Sequence, residues 1–270
     1  TPQLYRVNLT TGARTHLTSL ADWPRQINDA TRDPNTGQIY LATGKTQYHT
    51  GYEGYIYKFN PNTYGLQQLG GSFSWTQNPR SIAVDNSGYV WTANSWYGDS
   101  YNGQLYRTDP NTGQHDQMNN WGWNERPMAV TTRNGELWGS RGSFYSSGHN
   151  NYMGRFTDGG SGNGGSWQNY TSSNPVGWPG TVTDMQWDET TGTFMVSMGQ
   201  MHNSGYTSYL YRWNPSNNNW SQITTFGWEN APVNIAMYSF GRTNTGKNNL
   251  VIGSTDSNMT GSPHFYSGNP

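Results

Sequence analysis

Cysteine is absent, charge is scarce and no long apolar run occurs. With no cysteine among the 270 residues, a disulfide framework, a thiolate metal site and a cysteine nucleophile are excluded. Charged residues make up only 11% of the chain and the formal net charge is −1. That argues against nucleic-acid binding, which needs clustered Lys and Arg to neutralise phosphates. Hydrophobic residues account for 31% and the mean hydropathy is −0.90. No stretch reaches the roughly 20 apolar residues of a membrane-spanning helix, so no membrane span is expected.

Polarity with so little charge is also the mark of disorder, but the aromatic content argues the other way. Aromatics are 15% of the chain and 13 residues are tryptophan, more ring surface than an unpacked chain carries. Low charge with abundant Gly, Asn, Ser, Thr, Tyr and Trp suits an extracellular protein that faces sugars. A start at Thr1 without Met is what processing of a secreted protein would leave, and equally what trimming of a longer chain would leave.

A pattern of about fifty residues returns five times, the period of propeller blades or a solenoid. Its register mark is a tryptophan six residues before a fixed point in a short apolar strand: Trp23 to Asp29, Trp75 to Ser81, Trp123 to Ala129, Trp178 to Asp184 and Trp228 to Asn234. An apolar residue follows each endpoint (Ala30, Ile82, Val130, Met185, Ile235). Each unit reads as four short strands separated by turn signals. In the second unit, 81–85 is an apolar strand, Asn86-Ser87-Gly88 a hairpin turn, and 89–93 the second strand. A third strand covers 104–108. Asp109-Pro110-Asn111-Thr112-Gly113 then turns into a weaker fourth strand near 115–118. The third-strand motif recurs as Leu4-Tyr5-Arg6, Ile56-Tyr57-Lys58, Leu105-Tyr106-Arg107, Met153-Gly154-Arg155 and Leu210-Tyr211-Arg212.

Helix-free, four-stranded antiparallel units in series predict one all-β domain over residues 1–270, a five-bladed β-propeller. The chain begins at a third strand (4–7) and ends soon after a second (250–253). The N-terminal strands are therefore expected to complete the C-terminal blade and close the ring, removing its open edges. The run Pro79-Arg80-Ser81-Ile82-Ala83-Val84-Asp85-Asn86-Ser87-Gly88-Tyr89-Val90-Trp91 resembles the inner strands of NHL-type propeller repeats. Five blades with one aromatic position each resemble the propeller lectins of the tachylectin type. Both resemblances bear on architecture; neither brings catalytic residues with it.

In a propeller the fourth-to-first and second-to-third connections share one face, around the axial opening. The first set holds the five register tryptophans. The second repeats a hydroxyl residue and a ring: His49 and Tyr52, Tyr101, His149, His202 and Tyr206. As binding residues, these rings would stack on the C–H face of a pyranose while Asn, Ser and His pair its hydroxyls. As packing residues, the tryptophans would wedge between blades, each indole N–H bonded to a carbonyl. Both readings of the tryptophans stand at this point.

Carboxylates test for an enzyme. Asp29 and Asp184 share one register position on non-adjacent units, and glycoside hydrolysis needs two facing carboxyls. With Asn28 and Asn234 they are also candidates to hold an axial Ca²⁺ or a water through oxygen ligands; no other cofactor is expected. Glu125 and Glu229 lie in the tryptophan loops. The leading expectation is a secreted, monomeric, non-catalytic glycan-binding propeller whose several sites act together through avidity, with Asp29 and Asp184 dispensable for binding. The alternative is a polysaccharide-active enzyme (glycoside hydrolase or lyase) with one site at the axial opening. A structural or adhesive surface protein is the third reading.

Overall fold

The computed structural model describes residues 3–8, 11–19, 26–44, 53–74, 78–95, 103–121, 126–142, 152–159, 164–171, 181–199, 208–226, 231–238, 249–255 and 264–268. The described residues form strands and turns and no helix, and so none long and apolar enough to cross a membrane. Strands β1 (Gln3–Val7) and β2 (Arg14–Ser19) pair with each other. The first four-stranded blade follows: β3 (Gln26–Arg32), β4 (Ile39–Gly44), β5 (Gly54–Phe59) and β6 (Leu66–Phe73). The second is β7 (Pro79–Val84), β8 (Val90–Asn94), β9 (Gly103–Thr108) and β10 (His115–Trp121). The third is β11 (Arg126–Arg133), β12 (Glu136–Gly142), β13 (Tyr152–Asp158) and β14 (Gly165–Thr171). The fourth is β15 (Thr181–Asp188), β16 (Thr193–Gly199), β17 (Ser208–Asn214) and β18 (Asn219–Phe226). Strands β19 (Ala231–Tyr238), β20 (Asn249–Thr255) and β21 (His264–Gly268) form the fifth sheet. Every pairing is antiparallel between strands consecutive in sequence. The chain is a five-bladed β-propeller.

Burial follows strand position. All of β8 and all of β16 are buried, because a second strand has a paired neighbour on each side and a blade against each face. On the outermost strand β6 only Leu69 and Phe73 are buried, which is why fourth strands read weakly in the sequence. The turns are closed by side-chain caps. Asp85 Oδ1 accepts from the N–H of Ser87 (2.9 Å) and of Tyr89 (3.0 Å), and Gly88 takes the φ of 84° that closes the hairpin. Asn60, Asp109 and Asn214 cap the turns after β5, β9 and β17 in the same way.

Blades stack in chain order, and among the described residues one apolar cluster fills each interface from the first blade to the fourth. Ala42, Ile56 and Phe73 of the first blade meet Ile82 and Val90 of the second. Trp91 and Leu105 of the second meet Leu137 and Phe156 of the third. Trp138 of the third meets Phe194 and Trp213 of the fourth, with ring centroids 5.2 and 6.1 Å from Trp138. The first strands lie side by side along the axis, β3 by β7, β7 by β11, β11 by β15 and β15 by β19.

Strand β21 departs from the expectation. The sequence reading leaves the third position of the last blade for the Leu4-Tyr5-Arg6 strand, whereas β21 hydrogen-bonds to β20 there and β1 pairs with β2. A short local connection has a smaller closure entropy than one spanning the whole chain. His264 to Gly268 lacks the Leu-Tyr-Arg signature, so it gave no strand signal. Leu4 and Leu17 nonetheless pack on Leu41, Tyr57 and Phe59 of the first blade, on the side where a preceding blade belongs. That placement is consistent with a closed ring.

Candidate functional site

The fixed point six residues after each tryptophan is the residue that follows a bulge in a first strand. Register shifts fall between Ile27 and Asp29, Pro79 and Ser81, Pro127 and Ala129, Val182 and Asp184, and Pro232 and Asn234. A bulge re-aims side chains locally and often lies beside functional sites. In the first two blades it turns the register side chain toward the next blade. Asp29 Oδ1 accepts from its neighbour Ala30 N–H (2.7 Å), and Oδ2 reaches across to accept from Ile82 N–H (2.9 Å). Asn28 Nδ2 donates to Pro79 O at 2.7 Å. One blade further on, Ser81 Oγ accepts from Val130 N–H (3.0 Å) and donates to Val130 O (3.3 Å). Ala129 has no polar group to offer, and the third blade reaches the fourth through Thr131 Oγ1 and Gln186 Oε1 at 3.4 Å. Asp184, 1% exposed, accepts from Met185 N–H at 2.7 Å, as Asp29 does from Ala30.

These contacts explain why a polar residue is buried at this register. Asp29 and Ser81 each cap a backbone donor of the next blade, Ile82 N–H and Val130 N–H, and an orphaned buried donor costs about 1–3 kcal/mol. A carboxylate with a backbone N–H on each oxygen is an acceptor in a scaffold; N–H donors so placed are also poor neighbours for a cation. Among the described residues no group of three or more His, Asp or Glu side chains has the arrangement of a metal site.

The register tryptophans Trp23, Trp75, Trp123, Trp178 and Trp228 lie outside the described residues, as do His49, Tyr52, Tyr101, His149, His202 and Tyr206, and Glu125 and Glu229. Asn234 lies in β19, with its side chain outside what the structure describes. The strand ends flanking these candidates are described. In the first blade Gln26 pairs with Gly44, Thr43 with Tyr55 and Gly54 with Phe73. The start of β3, the end of β4, the start of β5 and the end of β6 therefore share one edge of the blade. Both sets of candidate connections leave from that edge.

Polar side chains crowd this end of the blades. Asn78, Asn94, Ser95, Gln104, Ser140, Arg141 and Ser208 are all buried there. Arg141 is the residue that sequence reasoning missed. It is 8% exposed, donates from an Nη to Asn169 Oδ1 at 2.9 Å, and lies 5.5 Å from the ring centres of Tyr152 and Trp167. Its signal was a charged residue in the otherwise uncharged end of a strand buried on both faces.

A groove of about 380 Å³ lies between the second and third blades at the opposite end, lined in part by Asp85, Trp91, Glu136, Arg155 and Asp158. Its acids already have internal partners. Trp91 Nε1 donates to Asp85 (2.7 Å), Arg155 to Glu136 (2.7 Å) and Arg107 to Asp158. Burial alone would lower the Arg107 pKa, but Asp116 and Asp158 outweigh it and hold it above the ordinary arginine value. The groove is a braced blade interface.

No family profile matches the sequence, and no curated protein is similar to it in sequence. Solved structures do resemble it in fold, and they are multi-bladed propellers. The periplasmic gluconolactonase of Pseudomonas aeruginosa superposes with a TM-score of 0.54 at 13% identity, over 99% of this chain and 95% of that one. The oligogalacturonate lyase of Vibrio parahaemolyticus superposes with a TM-score of 0.53 at 10% identity, over 98% of this chain and 68% of that one. At such identities the likeness shows the fold.

Proposed function

We propose that this chain is a carbohydrate-active propeller enzyme, a hydrolase or lyase, with one site at the axial opening. The observation that carries the reading is that the two solved propellers compared above are enzymes of sugar chemistry, one named for a gluconolactone and one for oligogalacturonate. Unequal blades support it. The register side chains Asp29, Ser81 and Ala129 do not make the same inter-blade contacts: a carboxylate accepts from Ile82 N–H, a hydroxyl pairs with Val130, and an alanine has no polar group to offer. A protein with five equivalent weak sites has no need of such differences. This reverses the order of the two readings that the sequence suggested.

In this reading Asp29 and Asp184 hold the blades, and the acid and base come from Glu125 and Glu229 in the tryptophan loops. The rings of the second-to-third connections, Tyr52, Tyr101 and Tyr206 with His49, His149 and His202, stack on and hydrogen-bond the sugar. A periplasmic neighbour and the low-charge composition fit an extracytoplasmic location. The fivefold return of the tryptophan favours a second reading, a multivalent glycan binder like the tachylectin-type lectins.

Incubation with neutral polysaccharides, polyuronates and aldonolactones tests the proposal. The readouts are new reducing ends, unsaturated product, and acid released by lactone opening. Turnover of one class supports an enzyme; saturable binding without turnover of any class supports the lectin.

A further inference from the structure

We propose that His115 is a pH-sensitive clasp between the first and second blades, closed when its imidazole is neutral and released when it is protonated. His115 opens β10 at the rim of the second blade. Its Nε2 lies 3.1 Å from Gly71 O on the rim strand of the first blade, and its Nδ1 lies 2.8 Å from Thr108 Oγ1. A carbonyl can only accept, so Nε2 carries the proton. Nδ1 is then the acceptor and the Thr108 hydroxyl is its donor.

Thr108 is fully buried. A proton on Nδ1 would turn that acceptor into a donor and strand the hydroxyl hydrogen away from water, a cost independent of any shift in the histidine itself. The approach is too close for easy repair. A Cβ on Gly70 would fall 2.0 Å from Gly113 O and 2.7 Å from His115 Nε2. Glycine at both positions brings the two backbones into contact, and Gly70 and Gly113 both adopt positive φ (64° and 74°).

The charges around the ring do not reverse this. Asp116, next in the strand, favours the imidazolium, but Arg107 (3.2 Å) and Gln114 (2.9 Å) already engage its carboxylate. Strand β6 carries no titratable side chain. Phe73, with its centroid 4.5 Å from the imidazole, gives a protonated ring some attraction, and Tyr106 packs edge-on against Phe73 at 5.0 Å. Burial outweighs the Gly71 bond and the Asp116 charge and holds the His115 pKa below its ordinary value. With the folded value depressed, the clasp is fully closed above the ordinary histidine pKa, about 6.5, and is lost as pH falls through the folded value. Phe73 stands two residues before Trp75, so release loosens the root of a tryptophan loop.

The test compares the full chain with His115→Gln, whose amide still donates to Gly71 O but does not titrate. Denaturation midpoints are measured from neutral pH down to about pH 5. The parent should lose stability relative to the variant across that range, by about tenfold in the folding constant for each unit of pKa depression. A parallel pH dependence in the two proteins overturns the proposal. A second measurement covers failure of the variant to fold: amide exchange of the parent at both pH values, corrected for the intrinsic rate. Protection in 66–73 and 113–118 should fall at acid pH while that of 193–199 holds. Equal changes in all three segments also overturn it.

Discussion

Asp29 Oδ2 accepts a hydrogen bond from the backbone N–H of Ile82, 53 residues later, at 2.9 Å. The preceding side chain, Asn28, donates to Pro79 O of the same strand at 2.7 Å. Two consecutive residues thus hold one donor and one acceptor of the next blade, and the bulge between Ile27 and Asp29 is what turns both toward it.

Removing these staples should loosen the ring without unfolding single blades. Asp29→Ala orphans the buried Ile82 donor and also uncaps the N–H of Ala30, an exposed residue, while Ser81→Ala orphans the buried Val130 donor, at about 1–3 kcal/mol for each buried donor. Chemical denaturation should show both variants destabilised, Asp29→Ala more so. Midpoints like the parent's would mean that these bonds contribute nothing.

Deleting residues 1–19 removes Leu4 and Leu17 from the face of the first blade formed by Leu41, Tyr57 and Phe59. A large fall in melting temperature, or aggregation through the uncovered sheet, is expected. An unchanged melting temperature would count against closure by the N-terminal pair.

The aromatic interface of the third and fourth blades should dominate stability. Trp138 is 1% exposed and sits among Tyr170, Phe194 and Trp213. Trp138→Ala should cost about 3–5 kcal/mol in equilibrium unfolding. A loss below about 1 kcal/mol would show that the cluster closes over the gap.

Asp33 gives an acid limb of known sign. Burial alone would raise its pKa, but the Thr36 hydroxyl, the N–H groups of Asn35 and Thr36 and the charge of Lys58 outweigh burial and lower it. Its contribution is therefore present above the ordinary value of 3.8 and is lost as pH falls through the folded value. The stability gap between the parent and Asp33→Asn should stay constant near neutrality and close in acid. A gap that widens in acid would reverse the assignment.

Much of this architecture was legible because turns and first strands have strong local chemistry. Asp85 to Tyr89 and Asp109 to Gly113 gave hairpins that the structure places where the residues put them. Strand β21 was not legible, since His264 to Gly268 is short and lacks the third-strand signature, even though Gly261-Ser262-Pro263 and Asn269-Pro270 flank it. The six-residue spacing was visible, but its cause was not: it measures the distance from a loop to a bulge. Asp29 and Asp184 suggested paired catalytic carboxyls because a sequence shows that two acids share a register and does not show which backbone donors face them. Arg141 was passed over because a lone arginine has no motif.

In the proposed enzyme the chemistry belongs to the mouth loops and the register carboxylates belong to the scaffold. The deciding measurement is kcat/KM on the polysaccharide or lactone that the parent turns over, for Glu125→Gln, Glu229→Gln, Tyr52→Ala, Asp29→Asn and Asp184→Asn. The parent should turn it over, the two glutamate variants should nearly abolish turnover, and Tyr52→Ala should lose on the scale of one stacked ring, about 1–3 kcal/mol. The two aspartate variants should keep kcat while melting at lower temperature. A parent that binds sugar but never turns it over, or activity that vanishes with Asp29 or Asp184 while melting is unchanged, would contradict this division of roles.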